Sequence, residues 1–166
     1  MVHVRIVSLS VDASSNQPVI ILKPVDDEES SARLLPIWIG HPEAASILLA
    51  LQNIEPPRPM THDLLSSIVS TLGRQVARVE ITRLEAGTFY AAIFLEGEGG
   101  TVIIDARPSD SIALAVRTGS AIYVAEQVLD EAAVTPDQKD SSEDEEAQVQ
   151  QFRDFLESVD PRDFQG

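Results

Sequence analysis

The sequence predicts an α+β protein: a twisted, mainly antiparallel sheet with helices packed on it, in the order βββααβββαβ, followed by a C-terminal helical tail. Three observations carry this. Period-two alternation recurs in short segments across the chain, as in Ala77, Val79 and Ile81 against Arg78, Glu80 and Thr82. Glycine turns at Gly87 and at 97–100 are too short for anything but antiparallel neighbours. Three stretches, starting near residues 42, 62 and 109, place apolar side chains at helical spacing.

The first strand alternates Val2, Val4 and Ile6 with His3 and Arg5. The second, Pro18 to Pro24, is a continuous apolar run suited to burial. The third spans Arg33 to Gly40, and Pro36 within it predicts an edge or a bulge. In the first helix, Pro42 and Glu43 suit the opening turn, and Ala44, Ile47, Leu48 and Leu51 make one apolar face. Three prolines in "NIEPPRPM" stop it. Thr61 is the expected cap of the second helix, with Asp63 in its first turn and Gly73 as the stop. Its expected buried stripe is Leu64, Ile68 and Leu72, with Leu65 and Val69. "TFYAAIFLE" is apolar on both faces, as a central strand is. "TVIID" follows, then a helix from Pro108 or Ser109 to Gly119, then the short strand "AIYV", which can pair either way.

The 166 residues are expected to form one domain over 1–134 and an appendage. Residues 135–147 read as a disordered acidic linker, and 148–160 as a short amphipathic helix that docks on this protein, a sister subunit or a partner. There is no cysteine, which excludes disulfides and thiolate metal sites. There is no signal-peptide pattern and no apolar run of the roughly 20 residues that span a bilayer. The expected compartment is the cytoplasm, with no membrane partner. The net charge is −15. Residues 135–166 hold ten acidic and three basic residues, so the body is acidic too. Global charge therefore opposes nucleic-acid binding, and only a local basic face would restore it. Arg74, Arg78 and Arg83 are candidates for such a face, although Arg78 alternating with Glu80 also describes a solvated sheet surface.

The stretch "DARPSDSIALAVRTG" crowds Asp105, Arg107, Ser109 and Asp110 against a helix start. Two readings stand. In one, Ser109 and Asp110 cap the helix and Arg107 pairs with a neighbouring carboxylate. In the other, Arg107 clamps a phosphate, with Ser109 and Arg78 assisting, while Asp105 and Asp110, with Glu43 or Asp63, hold Mg²⁺ or another divalent cation. His41 and His62 are either helix-start polar residues or a general acid–base pair. Trp38 reads as core or interface rather than a stacking platform. The starts of all three helices carry such groups, so they make one site if they converge on one sheet end, and are mere caps if they do not.

Together, "LPIWIGHPEA" (35–44), "RPMTHDLL" (58–65) and "DARPSDSIALAVRTGSAIYV" (105–124) resemble, in order and spacing, the bifunctional nuclease family over roughly residues 2–134. The resemblance implies a strongly twisted sheet, self-association as a homodimer or higher oligomer, and hydrolysis of DNA and RNA. The competing function is a non-catalytic binding or regulatory module, in which the cluster holds an anion and the acidic tail recruits a protein partner.

Overall fold

Alternation along the strands sorts their side chains onto two very different surfaces. A computed structural model describes residues 1–26 and 33–135. Strands β1 (Val2–Asp12), β2 (Gln17–Pro24) and β3 (Leu35–Trp38) are followed by helices α1 (His41–Leu51) and α2 (Thr61–Thr71). Strands β4 (Arg74–Glu85), β5 (Thr88–Gly97) and β6 (Val102–Ala106) lead to α3 (Pro108–Thr118), β7 (Ala121–Val124) and α4 (Glu126–Ala132). The seven strands form one sheet in the order β3-β2-β1-β7-β4-β5-β6. The fold is therefore the α+β arrangement expected, with one helix more.

The short strand β7 joins the two halves. It pairs antiparallel with β1 and parallel with β4, the single parallel contact among the described strands. β3 lies at one edge, where the missing N–H of Pro36 costs nothing. β6 lies at the other. Bulges interrupt β1 between Ile6 and Ser8 and β4 between Val76 and Arg78 and between Ile81 and Arg83. Such insertions increase local twist.

One row of cross-strand neighbours, Val4, Ile122, Val79, Ile93 and Ile104, faces the helices. The first four of these join Ile47 of α1, Val69 of α2, Ile112 and Leu114 of α3, and Val128 and Leu129 of α4 in a single core. The alternate row, His3, Tyr123, Glu80, Ala92 and Asp105, points away from it.

Three expectations are corrected. α4 is an addition: seven residues offer too few turns for a period to show, although Val128 and Leu129 are fully buried. In α2 the stripe Leu64, Ile68 and Leu72 is exposed, at 53%, 46% and 73%, and the buried line is His62 and Val69, with Leu65 partly buried beside them. α2 is apolar on two faces, and only docking selects one. Trp38 is half exposed rather than core, with its indole N–H donating to Asp12 at 3.2 Å. The caps also shift. Gly40, Met60 and Arg107 occupy the N-cap positions, so His41, Thr61 and Pro108 are each the first helical residue. The acidic linker beyond Thr135 and the amphipathic helix at 148–160 lie outside the described residues.

Candidate functional site

The first turns of α1, α2 and α3 meet in one hydrogen-bonded chain. α3 follows directly from β6, because Arg107 has extended backbone at the N-cap and Pro108 supplies a helix-ready φ without needing a donor. That geometry places Arg107 and Asp110 on the same side of the first turn. Arg107 Nε donates to Asp110 Oδ2 at 2.7 Å and Nη2 donates to Oδ1 at 3.0 Å, a forked contact. Nη2 also donates to Glu43 Oε1 of α1 at 2.8 Å. Glu43 fits there because Gly40 has no Cβ: one built at that position would collide with the Glu43 carboxylate.

Behind Asp110 stands His62 from α2. Its Nε2 lies 3.1 Å from Asp110 Oδ1 and its Nδ1 lies 2.9 Å from Ser46 Oγ of α1. Arg117, from the last turn of α3, donates through Nη2 to Ser46 Oγ at 2.9 Å and to the Ser46 carbonyl at 3.1 Å. Its Nε donates to Asp63 Oδ1 at 2.5 Å, while Asp63 Oδ2 accepts the Met60 N–H at 2.8 Å. Arginine only donates, so Ser46 Oγ accepts from Arg117, and the His62 ring bridges Ser46 and Asp110. The chain runs Asp63, Arg117, Ser46, His62, Asp110, Arg107, Glu43 without a gap.

The members differ in exposure. His62 and Ser46 are buried, and the Arg117 side chain is 9% exposed, whereas that of Arg107 is 65% exposed. His62 therefore orients Asp110 from behind. His41 is exposed at the start of α1. Both ring nitrogens of His62 are engaged, by Ser46 and by Asp110. A groove of about 370 Å³ between α2 and the β5–β6 edge is lined by His62, Asp110 and the β6 stretch Ile104–Ala106, but Asp105 alternates with Ile104, so its exposed side chain belongs to the opposite face of that strand. Ser109 is buried, so its hydroxyl is no surface contact. Arg78 lies elsewhere, on the sheet face that carries no helix among the described residues (the helix-free face), paired with Glu80 at 2.6 Å.

Among the described residues, no group of three or more His, Asp or Glu side chains is arranged around a metal ion. Glu43, Asp110 and Asp63 direct oxygens to Arg107 or Arg117, so a cation there would have to displace a guanidinium. Sequence reasoning missed Ser46 and Arg117. An arginine in a helix's last turn reads as a dipole partner, and nothing local signals its burial.

Both aspartates titrate below the ordinary carboxylate range. For Asp110 burial is the largest influence and pushes the pKa up, but hydrogen bonds from Arg107 and His62 outweigh it. For Asp63 burial also pushes up, and the Arg117 and Met60 donors outweigh it. A depressed folded-state pKa contributes stability that is fully present above the unfolded value of about 3.9 and is lost as pH falls through the lower folded value. Thermal melting should therefore weaken below about pH 4. Asp63→Asn and Asp110→Asn should each flatten that dependence. A melting temperature equally acid-sensitive in both variants would assign the effect to other carboxylates.

This is a polar, ion-paired junction of three helix starts beside a sheet edge, the kind of concave place where α+β proteins present charged groups to a ligand. The bifunctional nuclease domain matches residues 20–137, and the chain belongs to that family. It is 44% identical over 168 residues to an uncharacterized protein of Mycobacterium tuberculosis, covering 99% of this chain and 98% of the relative. It is 32% identical over 114 residues to bifunctional nuclease 1 of Oryza sativa subsp. indica, and 31% identical over 110 residues to bifunctional nuclease 1 of Arabidopsis thaliana. Those alignments cover 67% and 64% of this chain but only 34% and 33% of the plant proteins. Among the described residues, no helix is long and apolar enough to cross a membrane.

Proposed function

We propose that the protein is a nuclease that hydrolyses phosphodiester bonds of DNA and RNA at the Arg107–Asp110 junction. The observation that supports this is the state of Arg107: a mostly exposed guanidinium, held rigid by Asp110 and Glu43, whose Nη1 has no partner among the described residues. A pre-oriented donor of this kind stabilises the charge that builds on phosphate oxygens during displacement. Hydrogen bonding with Asp110 and then Glu43 raises the Arg107 pKa above its ordinary value, so the group is charged at every accessible pH. Asp110 is held ionised, with both of its oxygens engaged by Arg107 and one also by His62. Asp105, two residues before Arg107 on the edge strand and outside that chain of bonds, is the carboxylate left to accept the proton of the attacking water. Assays of highly purified protein on DNA and RNA, with and without EDTA and beside Asp105→Ala, test the reading. Hydrolysis by the wild type that Asp105→Ala retains in full would remove Asp105 from it. No hydrolysis under any condition would leave the alternative, an anion-binding module whose carboxylates are already satisfied.

We also propose that the protein associates with a second copy of itself through β6 and α2. Among the described residues β6 is an unpaired edge carrying Val102, Ile103 and Ile104 at 39%, 61% and 43% exposure, Leu65 and Val69 of α2 line the groove beside it, and Leu64, Ile68 and Leu72 are exposed on the same helix. An apolar, unprotected edge strand is an aggregation site unless covered. Antiparallel pairing of two β6 strands about a two-fold axis covers both copies at once. Light scattering should show a dimer at micromolar concentration, and Ile103→Lys with Ile68→Asp should yield a monomer. A wild type that is monomeric throughout would rule the interface out.

A further inference from the structure

The helix-free face of the sheet combines aromatic rings with cations in a chain that is otherwise strongly acidic. His3 and Tyr123, paired across β1 and β7, stack with ring centroids 5.2 Å apart at 33°. The Arg78 guanidinium lies 3.8 Å over the Phe94 ring, and that of Arg83 lies 3.8 Å over Tyr90. Arg5 is exposed on β1, two residues from His3, with Lys23 as its cross-strand neighbour. Neither has a carboxylate partner among the described residues. Lys23 is buried, so it contributes field rather than contact. The acidic groups of this face are partly offset, since Glu80 is engaged by Arg78.

We propose that this face binds single-stranded nucleic acid, with bases stacking on the Tyr123–His3 pair and on the guanidinium-capped Phe94, and a phosphate on Arg5. The proposal rests on the nuclease reading for its biological sense, and it extends that reading to the form of the substrate. Rings and guanidinium planes on a sheet capture unstacked bases, which a duplex does not offer. Among the described residues, no helix or ribbon projects from this face to enter a groove. The cross-strand row from His3 through Tyr123, Glu80 and Ala92 ends at Asp105, two residues before Arg107. A strand lying along that row is led to the candidate site. Pairing of two β6 edges would extend the sheet and leave this face free.

The test is fluorescence anisotropy of the full chain in EDTA, using labelled oligo-dT and a duplex of the same length. Oligo-dT should bind more tightly than duplex, and its affinity should fall as salt rises. Tyr123→Ala should weaken binding about tenfold, the scale of one lost base stack. Arg5→Ala, on an exposed position that does not support the fold, should weaken it and reduce the salt dependence. Equal affinity for duplex, unaltered binding by both variants, or no binding would overturn the proposal. So would dissociation of a dimer by Arg5→Ala, because the face would then be an interface between copies. Binding with the expected variant losses but no hydrolysis would uphold this surface and remove the nuclease reading. Hydrolysis with no variant effect on binding would do the reverse.

Discussion

Replacing Arg117 by methionine is expected to destabilise the fold by about 3–5 kcal/mol, the usual cost of removing one partner from a buried ion pair. Its side chain is 9% exposed and donates to Asp63, to the Ser46 hydroxyl and carbonyl, and to the Ala113 carbonyl. Methionine fills the volume but leaves the Asp63 carboxylate without its counter-charge. The loss should appear as a lower denaturation midpoint with an unchanged slope. Adding Asp63→Asn to Arg117→Met should recover part of it, since the stranded charge is then gone. A single-variant loss below about 1 kcal/mol would mean that the pair behaves like an exposed one.

The largest functional effect is expected at Arg107. Arg107→Ala should reduce kcat on DNA and RNA alike by roughly 10²–10³-fold, the scale of removing one pre-organised donor from a developing oxyanion. Stability should change less than in Arg117→Met, because the Arg107 side chain is itself 65% exposed and water can replace it beside Glu43 and Asp110. Arg107→Lys should recover only part of the rate, since a point charge cannot bridge Asp110 and Glu43 while also reaching phosphate. The separation of activity from stability is the decisive readout. Loss of both together would make Arg107 a structural cap, and full activity in the variant would move the chemistry elsewhere.

Local chemistry alone made several parts of this arrangement legible. The strands were readable because side-chain alternation is a property of the strand itself. Pro36 foretold the edge at β3 because a missing N–H is intolerable inside a sheet. The convergence of Glu43, His62, Asp63 and Asp110 could be posed as a question from three polar helix starts, but not answered. What linked them is Arg117, three turns from the start of α3, and Ser46, within α1. Neither carries a mark of its role in its own neighbourhood.

By itself, the sequence determined the α+β class, the element order up to β7, the absence of cysteine chemistry, the acidic balance and the family motifs, because each depends on composition or on residues close along the chain. Only the tertiary structure decided which face of α2 is buried, that β7 sits between β1 and β4, that α4 exists, and that His62 stands behind Asp110. Those depend on which of several comparable apolar and polar contacts are made at once. That is a property of packing among distant segments, and no local pattern encodes it.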